Sequence, residues 1–444
     1  MTSTVLPVRA GPVPATLVGL LLTLVFVPYL YAADAVGVAS GEPLTLRDCI
    51  DLALERHPDI GIAVASAESA RASARQQSAD LYPQLIADYS WRESRALDGR
   101  ATVGNRTTTR GGGIGMTYTI FETGRRARID AAKVRATASE IGIEDTRRLL
   151  AYEVITAYYD VLAAREYTEV AMRGVIDAER HRELVQARIT AGTAPESDLL
   201  PINLELANAR LDAVRAEADV RTAEAGLRAY LVLPPAATLN LVDPGPVARE
   251  DGELGALLDE ATRSRPDLAE RRLRLDASRL SLRATEAAAG VSLSASATAD
   301  WGHYDDNTGH EWSLRAGASY PLFDAGASSA AVKQARADHL SAELGLQSLE
   351  ISIQQQVESA YYTLIAARES VDRAAVVKAD AQQNLAAAEA RYAADLAIIL
   401  EVTDAQTSLR SAEVSEIQAQ YNHATALAAL QRAVGGYPMP AGDQ

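Results

Sequence analysis

Few residues of this chain are placed to do chemistry. It has 444 residues, six histidines that are scattered, and one cysteine, Cys49. A single cysteine excludes internal disulfides and CxxC metal sites. The glycine-rich RGGGIG at 110–115 neither follows a strand nor opens a helix, as a phosphate-cradling loop must. HYDDNTGHE at 303–311 comes nearest to a metal cluster, yet its make-up is that of a solvated polar loop. No catalytic residue, metal or cofactor is expected. More pointed are two stretches where acids follow a helix break at short spacing, GTAPESDLL (192–200) and DLAIILEVTDAQ (395–406). From the residues alone such carboxylates read first as helix caps and solvated ends.

The elements that must carry these acids are announced by composition. Apolar residues make up 48% of the chain and aromatics only 5%. Alanine dominates, which suits long, closely packed helices. A net charge of −16 argues against nucleic acid as a partner. Arg9 precedes an apolar run, ATLVGLLLTLVFVPYLYAADA, that ends in small residues at Ala32 to Ala35, so 1–35 reads as a secretory signal peptide. The rival reading, a membrane anchor, is opposed by Pro28 and by the shortness of the run. No second long apolar run follows, and LRDC lacks the context for lipidation at Cys49.

The chain is written twice. YYDVLAARE at 158–166 returns as YYTLIAARE at 361–369, a shift of 203 residues. YTIFETG (118–124) returns as YPLFDAG (320–326), and these motifs hold Phe121 and Phe323, two of three phenylalanines in the chain. IDLALERHPDI meets LDEATRSRPDL with Pro58 against Pro266. Two structural repeats follow, 43–235 and 253–436, joined by a linker at 236–252 and trailed by a tail at 437–444.

Each repeat changes period twice. Short helices lead to segments of alternating polarity. These strands are expected at about 85–92 and 113–120, then 291–301 and 312–322. Long helices without an internal proline follow at about 122–191 and 324–394, with return helices at about 196–230 and 397–435. Leu150, Val154, Ala157, Val161 and Ala164 step by four and three, as do Ile353, Val357, Ala360, Leu364 and Ala367, which is the spacing of a coiled-coil seam. One continuous rod of this length reaches about 100 Å.

The four strands have the length and one-sided apolarity of transmembrane β-strands, although a small soluble sheet packed on the helices has the same pattern. Aromatics separate the two. Trp91, Trp301 and Trp312 lie at the loop ends of the strands, while Tyr118 and Tyr320 lie at the helix ends. That is the placement of interfacial girdles in contact with lipid. Four strands cannot close a barrel, and an open edge in lipid leaves backbone groups unsatisfied, so several chains must contribute.

The signal peptide, the doubled order of helix, strand, strand and long helix, the FETG and FDAG motifs and RYAADLAIILEVTDAQTSL at 391–409 together resemble the TolC-like outer-membrane efflux family, over about residues 43–436. The resemblance implies a mainly α fold with a small β part. Its protomers form a homotrimer with a 12-strand barrel in the outer membrane and an α-helical tunnel in the periplasm. Phe121, Gly124, Phe323 and Gly326 then mark the two strand-to-helix junctions. Glycine at both junctions permits a tight backbone, Glu122 and Asp324 suit a helix N-terminus, and the phenylalanines could wedge between barrel and rods. By the same resemblance Glu401 and Asp404 line a narrow periplasmic mouth. Tyr392 and Asp198 help tie helix pairs shut, and the tips at Gly192, Thr193, Asp395 and Leu396 dock a periplasmic adaptor. Two departures stand out. Asp395 replaces the second tip glycine, and Ala397 stands where some members carry an arginine that bridges to the acid.

The expected function is a passive exit duct of a tripartite efflux or type I secretion system, with energy supplied by an inner-membrane pump through the adaptor. A periplasmic coiled-coil scaffold without channel activity is the alternative, and would purify without detergent. A general porin is a third reading, for which long alanine-rich rods are superfluous.

Overall fold

Pro58 and Pro266 each open a helix, where the missing amide costs nothing and φ is preset. The computed structural model describes residues 43–95, 106–245, 252–304, 307–394 and 396–437. The expected signal peptide, Asp395 and the tail beyond Tyr437 lie outside them. The first repeat runs α1 (Leu46–Arg56), α2 (Pro58–Ala79), β1 (Gln84–Arg95), β2 (Arg106–Glu122), α3 (Arg125–Thr190) and α4 (Leu199–Tyr230). The second runs α5 (Leu254–Ser264), α6 (Pro266–Ala288), β3 (Ser292–Tyr304), β4 (Asn307–Ser319), α7 (Ala327–Ala393) and α8 (Ile399–Val434). At 66 and 67 residues, α3 and α7 are rods of about 100 Å. Among the described residues no helix is long and apolar enough to cross a membrane.

The seams expected from the four-and-three spacing are where the rods bury side chains. Val154 and Val161 are fully buried, as is Val357, and Ile353, Val357 and Leu364 pack with Leu427 and Leu430 of α8. Each rod thus folds back on its return helix as a hairpin, α3 with α4 and α7 with α8.

The strands form one antiparallel sheet in the order β1-β2-β3-β4, so β1 and β4 are its edges. Register sorts the side chains. Leu85, Met116, Ala297 and Leu314 form one cross-strand row, and Ala87, Ile114, Ala299 and Trp312 the next. A third row holds Tyr89, Gly112, Trp301 and His310. This face is apolar and bare within the chain: Leu85 is 73% exposed, Leu314 70% and Trp312 80%. The opposite face is polar, with Asp88, Gly113, Asp300 and Glu311 in one row.

β2 starts at Arg106, earlier than the alternation indicated, and therefore contains the glycine-rich stretch. Those glycines serve packing. A Cβ on Gly112 would meet the Asp88 carbonyl oxygen at 2.8 Å and the Trp301 ring at 3.0 Å. β4 ends at Ser319, short of the expected 322, because Pro321 has no amide to donate to the ladder.

The two junctions use the same glycine in different surroundings. Gly124 and Gly326 cap α3 and α7 with φ of 86° and 88°, a region that L side chains avoid. Before Gly124, β2 carries an extra residue between Thr119 and Phe121. Such a bulge disrupts the ladder, and the buried Arg125 guanidinium donates to the Thr119 and Ile120 carbonyls at 2.5 and 3.2 Å. Glu122 turns away from the helix amides to pair with Arg128 at 2.9 Å. Asp324, its counterpart, accepts from the amides of Gly326 and Ser328 at 3.0 and 2.8 Å. These bonds hold the Asp324 carboxyl below the usual carboxylate range, the Ser328 hydroxyl contributing most. Neither phenylalanine is wedged within the chain: Phe121 is 48% exposed and Phe323 89%.

Candidate functional site

The free ends of the two hairpins lie side by side, and each rod stops in the same way. The amides of Gly192 and Thr193 bond back to the Ile189 and Arg188 carbonyls, both at 2.9 Å. At the other tip Leu396 donates to the Arg391 carbonyl at 2.8 Å. The Thr193 and Leu396 bonds are six-to-one, and all three satisfy carbonyls that a helix end leaves orphaned. Gly192 has a φ of 72° and open space where a Cβ would be. Thr193 and Leu396 are exposed, Leu396 at 78%.

Below the tips an apolar knot joins all four helices: Val185 of α3, Ile202 of α4, Tyr392 of α7 and Val402 of α8. Tyr392 is buried, and its hydroxyl has no hydrogen-bond partner among the described residues. Arg188 covers the ring, its guanidinium carbon 4.6 Å from the centroid and Nη1 3.3 Å from the Tyr392 carbonyl oxygen. Cation–π attraction of this kind strengthens as water is excluded. Asp198 closes a 3₁₀ turn, Glu196–Asp198, and precedes α4 without a side-chain capping bond. Its carboxylate is half-buried, and among the described residues it is not joined to Tyr392.

Glu401 lies in the first turn of α8 and Asp404 one turn on, so both occupy one face. Both are exposed. Asp404 makes no ion pair among the described residues. Glu401 does: Arg391, in the last turn of α7, reaches it across the break with Nη2 to Oε2 at 3.2 Å. The pair brings a cation to Glu401 from the preceding helix, while position 397 is alanine. Nothing local in the sequence marks Arg391. Ten positions separate it from Glu401, and only the hairpin's reversal makes them neighbours. The arrangement offers clustered charge and exposed turns.

The family model for outer membrane efflux protein matches residues 49–231 and 257–436, which is most of the chain and both repeats. The chain belongs to this family. Similar proteins include the protein CyaE of Bordetella pertussis, 28% identical over 345 residues, with 74% of this chain and 71% of that one covered. The outer membrane protein TolC of Escherichia coli is 24% identical over 400 residues, covering 83% and 77%. Among solved structures the Campylobacter jejuni CmeC outer membrane channel has the same fold, with a TM-score of 0.78 at 17% identity and coverage of 90% and 87%. The chain is therefore an outer-membrane efflux channel protein of TolC type, mostly helical with four antiparallel strands.

Proposed function

We propose that three copies close into one conduit, twelve strands from three four-stranded sheets forming a barrel in the outer membrane and the hairpins a tunnel beneath it. The observation that carries this is the sheet itself. It has two unpaired edges, β1 and β4, and a bare apolar face bearing Tyr89, Trp91, Trp301 and Trp312. Lipid tolerates no open edge, so edge must pair with edge of the next copy. The exposed ring of Phe323 is then left for a neighbouring copy to cover.

In this reading the duct is passive and conducts cargo delivered by an inner-membrane pump. A periplasmic adaptor grips the tips at Gly192, Thr193, Asp395 and Leu396. Glu401 and Asp404 from three copies gather six carboxylates around one axis, where like charges repel and low-dielectric walls focus the field. Crosslinking in native membranes should trap a three-chain species. Recovery as a soluble monomer from the periplasmic fraction would sink the duct and favour the scaffold.

A further inference from the structure

Further up the rods, a buried imidazole joins the two hairpins. His181 of α3 is 8% exposed, and its ring nitrogens lie 2.7 and 3.0 Å from Gln406 Nε2 on α8. Gln406 is 7% exposed, and its Oε1 has no partner among the described residues. Charged groups of α3, α7 and α8 act on the ring. Glu389 of α7 stands 3.9 Å from Nε2, and Asp177 and Arg180 flank it on α3 itself. Arg410 of α8 comes next, paired at 3.1 Å with Glu205 of α4, whose second oxygen is buried without a partner among the described residues. Arg173 of α3 and Glu413 of α8 close the cluster at 4.0 Å. The His181–Gln406, His181–Glu389, Glu205–Arg410 and Arg173–Glu413 contacts all run from the α3–α4 hairpin to the α7–α8 hairpin that carries Glu401 and Asp404.

One amide can serve one ring nitrogen, whichever way it faces. A neutral imidazole asks for little more. An imidazolium has a second proton to place, and the nearest carboxylate, Glu389, lies beyond hydrogen-bond distance. We propose that His181 and Gln406 form an acid-released latch, in which the neutral ring holds the two hairpins together and its protonation favours their separation at the mouth. The repeat puts Asn384 and Asn203 at the equivalent positions, exposed in the single chain and unable to titrate. A cavity of about 90 Å³ beside Gln406, lined by Asp177, Glu205 and Arg410, has room for the water that would bring the proton.

The sign follows from linkage. Burial, helped by Arg180 and Arg410 against Glu389 and Asp177, holds His181 below the ordinary imidazole value. The closed form therefore keeps its full advantage above about pH 6.5 and loses it as pH falls through the lowered value. Within that window the open-to-closed ratio rises by up to about tenfold per pH unit.

The latch rests on the duct reading only in placing the moving hairpins at a mouth, and its test measures the hairpins directly. Spin labels at Thr193→Cys and Leu396→Cys in the full-length protein in lipid nanodiscs report the distance between tips. Cys49 does not compete for label, being buried with its thiol pushed up to about 12. The longer-distance population should grow between pH 7.5 and pH 5, and His181→Gln should abolish the change. Glu389→Gln, which removes the carboxylate facing Nε2, should enlarge the shift at pH 5, an effect that a purely structural histidine would not produce. A flat wild-type response overturns the latch. So does a pH response that survives in His181→Gln, since it would belong to the mouth carboxylates. Absence of channel conductance alongside intact pH-driven separation would instead count against the duct.

Discussion

Arg391 and Glu401 meet at 3.2 Å across a break in the chain, joining the last turn of one helix to the first turn of the next. Both side chains are about half exposed, 54% and 46%, so water and salt screen the pair. Exposed pairs of this kind are worth about 0.2–1 kcal/mol. Arg391→Ala should thus raise the open fraction of the channel by no more than about fivefold, by leaving Glu401 to its like-charged neighbours. Single-channel recording at low and high salt checks this, and the effect should shrink in molar salt.

Replacing Glu401 and Asp404 together with alanine should reduce cation selectivity and relieve block by multivalent cations. The reason is proximity: both carboxylates lie exposed on one face of α8. Reversal potentials in planar bilayers read the selectivity. Unchanged block in the double variant would place the constriction elsewhere.

The Tyr392 hydroxyl is buried and unbonded within one chain, an arrangement that costs about 1–3 kcal/mol if nothing completes it. In the trimer Asp198 should complete it. Tyr392→Phe should then raise the open fraction without altering selectivity. An unaltered or more tightly closed channel would show that the hydroxyl contributes nothing to closure.

Gly192→Glu should impair efflux while trimers still assemble. A Cβ there meets no atom within 4 Å, so the cost lies in the left-handed backbone at a φ of 72°, on the order of 1–2 kcal/mol. Susceptibility to export substrates, measured at matched protein levels, separates lost docking from lost protein. Normal export would move the docking site off this tip.

The two faces of the sheet can be told apart by one charge. Leu314→Arg puts a cation on the bare apolar face and should destabilise the membrane-inserted form by about 2–4 kcal/mol. Ser313→Arg, one residue away, points to the polar face and should be tolerated. Urea unfolding from lipid vesicles compares them, and equal losses would mean the faces are assigned wrongly.

Much of this architecture is legible in the sequence because it is periodic and doubled. Leu150, Val154 and Val161 betray a buried seam by spacing alone, and Trp301 and Trp312 mark the bare apolar side of the sheet by their position in an alternating run. What stays hidden lacks a local period. The first residues of β2, RTTTRGGG, look like a loop, and become strand only because β1 and β3 pair with them and Trp301 needs the room over Gly112. Glu122 and Asp324 look equivalent, yet one pairs with Arg128 and the other caps a helix, because the bulge before Phe121 and Pro321 before Phe323 shape the two turns differently. Arg391 and His181 matter through partners brought close only by the folded hairpins.

The unpaired edges of β1 and β4 also bear on inheritance. A sheet that cannot enter lipid by itself ties insertion to meeting its partners, so insertion should rise steeply with local copy number. One faulty edge strand then spoils every assembly that it joins. In a cell making sound and edge-defective copies in equal amounts, about one trimer in eight is free of the defect. Lesions in β1 or β4 should therefore behave as dominant, whereas loss of the whole chain should be recessive.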